Sequence, residues 1–341
     1  MKGLNYFFRH PHPVYFSLEK LFGKIAERVS SSHSAQFEVK IITLPFASKA
    51  STLHKNILFI KKNQSTINHI TGDAHYCIIG CKKNNINILT IHDCVLLKRN
   101  SVLNPKYWIF KWVWYAWPVK KADAITVISE NTKKELLHFT NCDPEKIKVI
   151  PDFVDPVFQP SYYKFNNDHP KILFVGTSAN KNLDRLIDAL HGVNAELNIV
   201  GRLNDQQLKK LKDNRIDHVQ SEKLSEEELL KKYQQCDLLV FPSTYEGFGL
   251  PIVEAQAVGR PVLTSNLSPM KEVAGNGACL VDPHDATSIR NGIEMIINNA
   301  EYRDQLIENG FKNVSRFQLE KVVDEYTSLY KVLLQKKIPQ E

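Results

Sequence analysis

Two successive series of short apolar runs, separated by stretches with helical spacing, constrain this chain more than any other feature. The first series reads "EVKIITLPF", "ILFIKK", "INHIT", "NILTIHD", "AITVIS" and "KIKVIP"; the second reads "KILFVGT", "ELNIVGR", "HVQSE", "DLLVFPS", "PVLTS" and "ACLVD". Runs that are apolar without alternation, rich in Ile and Val and followed by helical or polar segments, are strands of parallel sheets covered on both faces. Two such series predict two doubly wound, Rossmann-like α/β domains facing a cleft, and 341 residues exceed what one core usually serves. The boundary is expected in "PDFVDPVFQPSYYKFNNDHP", which has no sustained period and is rich in Pro, Asp and Asn. This gives domains 1–155 and 156–341, with a terminal helix at about 320–341 as a candidate to pack back on the first domain. Ligands of open α/β sheets bind beyond the carboxyl ends of the strands, so the cleft is the expected site.

The net charge of +7 is unevenly spread. Residues 1–165 hold 23 Lys and Arg against 12 Asp and Glu, the remainder 21 against 25, so the first half is expected to meet something anionic. The amino terminus, "MKGLNYFFRHPHPVYF", breaks any apolar core with charges and prolines, which predicts a cytoplasmic protein. Of six cysteines only Cys77 and Cys81 are closely spaced. A zinc site with His75 or His92 would ordinarily need a second close pair, so reduced buried thiols are expected.

In "TYEGFGLPIVEAQAVG", a strand is followed by a glycine-rich loop, a helix with Pro251 in its first turn, and a stop at Gly259. Such a helix start presents backbone N–H groups and a positive dipole end to a phosphate. Glu246 and Glu254 bracket it, and carboxylates beside phosphates are tolerable when they accept from hydroxyls on either side. A nucleotide sugar has that layout: hydroxyls, diphosphate, hydroxyls.

The segments "EGFGLPIVEA" and "GRPVLTSNLSPMKEVAGNGACLVDPHD", with "FVGTSANKNLDRLIDAL" upstream, resemble the donor half of family 4 glycosyltransferases, which are retaining enzymes of GT-B architecture. Their two glutamates with seven residues between match Glu246 and Glu254. "HITGDAHY", "ILTIHD" and "ITVISENTKKEL" extend the resemblance into the first half. It implies that Glu254 binds ribose hydroxyls and Glu246 the donor sugar or its immediate surroundings, while backbone amides of Gly247, Phe248, Gly249 and Leu250 hold the diphosphate or the sugar. Lys181 is implied as a mobile cation that stabilises the leaving diphosphate. His92 is implied to position the sugar and stabilise charge, with Asp93 orienting its ring. An arginine frequent in the family is Thr177 here, and Arg202, or Ser178 with backbone amides, is expected to compensate.

The amino-terminal loop departs from the family's glycine pair; Arg9, His10, His12 and Tyr15 are candidates for the acceptor pocket, and Ser17 for a helix cap. No Asp-x-Asp motif occurs, so no metal or other cofactor is expected. These readings predict a retaining hexosyltransferase that moves a sugar from a UDP- or GDP-sugar to a saccharide or lipid-linked saccharide acceptor in surface polysaccharide or lipopolysaccharide assembly, without nucleic acid. A GT-B nucleotide-sugar epimerase and a non-catalytic partner of a transferase complex are the alternatives. "PKYWIFKWVWYAWPVKK" contains all four tryptophans and is too short to span a bilayer. As a regular helix it would place Trp108, Trp112 and Tyr115 on one face, either packed on the sheet or lying at the inner membrane surface.

Overall fold

A computed structural model of the chain describes residues 1–11 and 17–337, with the Ser17 side chain outside the described set. The chain forms two compact units, Met1–Asp152 with Leu319–Glu341, and Phe153–Gln318. In the first, β1 (Lys2–Phe8), β2 (Phe37–Thr43), β3 (Ile67–Ile70), β4 (Ile86–Ile91), β5 (Ala124–Val127) and β6 (Ile147–Val149) form a parallel sheet in the order β2-β1-β3-β4-β5-β6. In the second, β7 (Lys171–Val175), β8 (Glu196–Val200), β9 (His218–Ser221), β10 (Leu238–Phe241), β11 (Val262–Ser265) and β12 (Cys279–Val281) form another, ordered β12-β11-β10-β7-β8-β9. Both sheets are doubly wound. The strand order reverses between β1 and β3 in one and between β7 and β10 in the other, and loops diverging from such a reversal leave a crevice at the carboxyl edge.

Two assignments from the sequence differ. The opening "KGLNYFF" is a strand with five buried residues, whereas "ILFIKK" lies in the helix Leu53–Lys62. A short apolar run reads equally as strand or helix. Here Asn56 and Ile60, four apart, are buried while Leu58 is exposed, and Lys61 and Lys62 sit favourably in the last turn.

One face of the first sheet is closed by the helix Leu319–Lys337 through a buried polar chain. The Tyr6 and Tyr330 hydroxyls lie 2.9 Å apart, Tyr330 is 2.8 Å from His69 Nδ1, and His69 Nε2 is 2.7 Å from Thr90 Oγ1, which is 2.7 Å from Thr126 Oγ1. The chain crosses β1, β3, β4 and β5 on one face. Burial lowers the His69 pKa to about 3, so the imidazole stays neutral. In the second unit, Phe174, Leu197, Val240, Leu263 and Val281, one from each of five strands, pack against helix residues such as Leu186 and Ile293. This core holds the strand ends rigidly.

Candidate active site

After β10 the chain turns through Pro242–Gly249 into the helix Leu250–Val258. Gly249, at φ 111°, is the residue before the helix, no side chain caps that end, and Gly259 at φ 83° terminates it. Pro251 lies in the first turn and has no N–H, so donors at this terminus come from the preceding amides and Leu250. Ile252, Val253, Ala255 and Val258 are buried, which fixes the helix in place. Glu254, half-buried on this helix, accepts a 2.5 Å hydrogen bond at Oε2 from the Tyr233 hydroxyl. Tyr233 is fully buried, and burial together with the Glu254 carboxylate raises its pKa well above the usual value, keeping it a donor.

Across the strand-order reversal, the loop after β7 meets the loop after β10. Lys181 Nζ lies 2.8 Å from Glu246 Oε1 and 4.5 Å from the centre of the Phe241 ring, with both charged side chains largely shielded. Gly176 adopts φ 91°, and a Cβ there would come within 2.9 Å of Lys181 Cε, so glycine makes room for the lysine stem. The loops are tied by Asn180, whose Nδ2 donates to the Tyr245 carbonyl at 2.9 Å, and by Asn182, whose Nδ2 donates to the carbonyls of Pro242 and Pro283. Lys181 is thus held by an ion pair with Glu246 at this edge.

The loop after β8 joins the same edge. Thr177 Oγ1 donates to the Arg202 carbonyl at 2.6 Å, and Ser178 Oγ donates to Asn180 Oδ1 at 2.8 Å. Each hydroxyl has one proton, and in this state both are engaged within the protein. The Arg202 side chain is exposed. Lys181, Glu246, Thr177, Ser178 and Arg202 thus occupy the carboxyl edge of three adjacent strands, with Gly247, Phe248, Gly249, Leu250 and Glu254 following β10.

In the first unit, His92 follows β4. Its Nε2 donates to the Thr71 carbonyl at 3.0 Å, while Nδ1 is buried without a hydrogen-bond partner. Burial lowers its pKa to about 4. The depressed pKa favours a neutral imidazole with Nδ1 as its acceptor. Asp93 Oδ1 accepts from the Val95 amide at 2.9 Å, at the start of the next short helix. Arg9 follows β1 and pairs with Glu19, Nε to Oε1 at 2.6 Å, and His10 is exposed. His12 and Tyr15 lie outside the described residues. The six cysteines are free, five of them buried. Among the described residues no group of three or more His, Cys, Asp or Glu is placed to hold a metal ion.

Tyr233, Asn180, Asn182 and Phe241 escaped the sequence reading. Tyr233 sits in "LLKKYQQC" like any amphipathic-helix aromatic, and its hydroxyl finds Glu254 only across the packed helices.

Residues 158–313 match the family model for glycosyl transferases group 1, and residues 38–158 match Glycosyltransferase Family 4. A serotype-specific mannosyltransferase of Escherichia coli is 26% identical over 58% of this chain and 27% of its own length. An uncharacterized glycosyltransferase of Methanocaldococcus jannaschii is 27% identical over 76% of this chain and 74% of its own. The chain spans about a quarter of the length of the E. coli mannosyltransferases it matches. Among solved structures, Anabaena HepE in complex with UDP and glucose superposes with a TM-score of 0.75 at 14% identity, over 97% of this chain and 100% of that one. Sucrose-phosphate synthase from Thermosynechococcus elongatus does so with 0.79 at 16%, over 98% and 100%. The chain thus has the two-domain GT-B fold, and its matches over residues 38–313 support placing it among the glycosyltransferases.

Proposed function

We propose that this chain is a retaining glycosyltransferase that transfers a hexosyl group from a UDP- or GDP-sugar to a saccharide or lipid-linked saccharide acceptor. The observation that carries the reading is the Lys181–Glu246 pair at the strand-order reversal of the second sheet, beside an uncapped helix start. Backbone N–H groups from Gly247 to Leu250 and the helix dipole receive the diphosphate, and Lys181 turns toward it from Glu246 as charge grows on the leaving oxygen. Glu246, thereby released, accepts from hydroxyls of the sugar. Glu254, positioned by the hydrogen bond from Tyr233, accepts from the ribose hydroxyls. Arg202 supplies further positive charge, since the Thr177 and Ser178 protons are engaged elsewhere.

In the transfer, the acceptor oxygen bonds to the anomeric carbon on the face from which the diphosphate oxygen departs. The carbon–oxygen bond to phosphate breaks, and the acceptor proton passes to that phosphate oxygen. No metal is assigned a part. His92, neutral with a free lone pair on Nδ1, suits acceptance of a hydroxyl hydrogen rather than charge stabilisation. Relatives described as mannosyltransferases and as enzymes of O-antigen and capsular polysaccharide synthesis support a role in surface glycan assembly.

Thermal shift with UDP, GDP and their sugars tests the donor site. One nucleotide at 100 times its dissociation constant should stabilise by about 2.7 kcal/mol. Release of nucleoside diphosphate should then rise on addition of acceptor. Binding of neither nucleotide would reject the reading, and acceptor-independent release with an epimerised sugar would replace transfer by epimerisation.

A further inference from the structure

The tryptophan-rich segment is neither a plain core helix nor a regular amphipathic one. It runs as Pro105–Ile109 in α-helix, Phe110–Ala116 in π-helix and Trp117–Lys121 in α-helix. A π-helical turn holds more residues than an α-helical one, so it shifts every later side chain around the axis. The expected face of Trp108, Trp112 and Tyr115 is broken by that shift. Trp114 and Tyr115 turn inward, with Trp114 tilted against Tyr76 at 5.1 Å and Tyr115 edge-on to His75 at 5.5 Å. Trp108, Trp112 and Trp117 turn outward, each about half exposed, and with Ile109 they line an open groove of about 510 Å³. Val102 and Leu103, just before the helix, are exposed as well, and Trp108 Nε1 donates to the Val102 carbonyl at 3.0 Å.

The charge along this segment has one sign. Between Asp93 and Asp123 the chain has six Lys and Arg and no acidic residue. Lys106 and Lys120 are exposed at the two ends of the helical segment, and Lys111 Nζ lies 5.3 Å from the Trp108 ring centre. The unit bearing the patch holds 26 Lys and Arg against 15 Asp and Glu, so its wider field does not reverse the local sign. Exposed aromatic rings carry a cost in water, and a contiguous set of them usually marks a contact surface. A helical segment with exposed indole rings, a lysine over one of them, further exposed lysines at its ends and buried aromatics against a packed core matches the depth profile of a bilayer surface: rings at the headgroup boundary, ammonium groups among lipid phosphates. No helix among the described residues is long and apolar enough to cross a membrane, so contact of this kind is superficial.

We infer that Trp108, Ile109, Trp112 and Trp117, with Lys106, Lys111 and Lys120 of the same segment, form a docking surface for an anionic lipid bilayer. The occupant is set by charge complementarity together with the indole rings. A lipid-linked acceptor would be met at such a surface, yet the inference stands apart from the identity of the sugar.

Sedimentation of the full chain with vesicles of phosphatidylcholine, alone or mixed with phosphatidylglycerol, decides it. Binding is expected to the mixed vesicles at low salt, to weaken at high salt, and to be absent with phosphatidylcholine alone. Trp108→Ala, Trp112→Ala and Trp117→Ala together should weaken it by about tenfold or more, with near-ultraviolet dichroism of buried Trp114 reporting that the fold is intact. Lys106→Gln, Lys111→Gln and Lys120→Gln together should remove the preference for phosphatidylglycerol. No binding at low salt, or unaltered binding by the tryptophan variant, overturns the inference. A concentration-dependent dimer abolished by Trp112→Ala, without vesicle binding, would assign the patch to a second copy of the chain.

Discussion

The two sheets reverse their strand order at similar places, and at each reversal a cation is held by a glutamate: Arg9 by Glu19 in the first unit, Lys181 by Glu246 in the second. The surroundings differ. Beside Lys181 the chain has glycines at positive φ, Gly176, Gly201 and Gly249, and a Cβ at Gly176 or Gly201 would strike Lys181 or Thr177. After β1 it has Arg9, His10 and Pro11 instead. One edge lets the backbone approach a ligand closely, as recognition of a diphosphate common to many donors requires. The other is built from side chains, which the proposed function assigns to the acceptor.

The contrast breaks most sharply on the lysine. Lys181→Ala should lower turnover by about 10²–10³, the effect of removing one preorganised donor to a developing charge. Arg9→Ala should leave donor nucleotide affinity unchanged by calorimetry; a shared loss would mean that the two edges do not divide the work. Next in size, Glu254→Gln should weaken nucleoside diphosphate binding by about 1.5–3 kcal/mol, or about 10- to 150-fold, while Glu246→Gln lowers turnover more than affinity. Equal binding by both variants and the parent would remove the two-ended layout of the site.

Smaller effects sharpen the comparison. Gly176→Ala forces a left-handed backbone on alanine and presses its Cβ on Lys181, and should destabilise the second unit by about 1–2 kcal/mol in urea titration. Tyr233→Phe removes the donor to Glu254 and should weaken nucleotide binding by about 1 kcal/mol, with no effect on vesicle binding.

Acid should separate the units last. Burial lowers the pKa of His69 to about 3 and of His75 and His92 to about 4, all in the first unit. The stability their neutrality confers is complete above the unfolded value near 6.5, and is lost as pH falls from there toward 4. Asp73, raised to about 6 by burial and Asp93, and Asp152, raised to about 7 by burial, titrate in the opposite sense and offset part of that loss. A modest fall in the first unit's resistance to proteolysis between pH 6.5 and 4.5 is the expected result.

Much of this was legible beforehand for a local reason. The strand runs of the second unit, the turn at "EGFG", the first-turn position of Pro251 and the stop at Gly259 are set by residues adjacent in the chain. "ILFIKK" was misread because six apolar and basic residues satisfy both periods, and the choice fell to what Asn56 and Ile60 could bury against. The tryptophans were misread because a π-helical turn depends on packing around Trp114 and Tyr115 and leaves no periodic trace.

The sequence by itself determined two doubly wound sheets, an uneven charge and a glycine-rich loop leading into a helix between two glutamates. These follow from apolar patterning, composition and the φ freedom of glycine, each a property of short segments. Tertiary structure alone decided that Lys181, 65 residues before Glu246, is its ion partner, and that Tyr233 holds Glu254. It likewise decided that burial depresses the His92 pKa and that three of four tryptophans face outward. Such outcomes depend on which strand ends the sheet order brings side by side and on how much water the packing removes, and neither is written in any one segment.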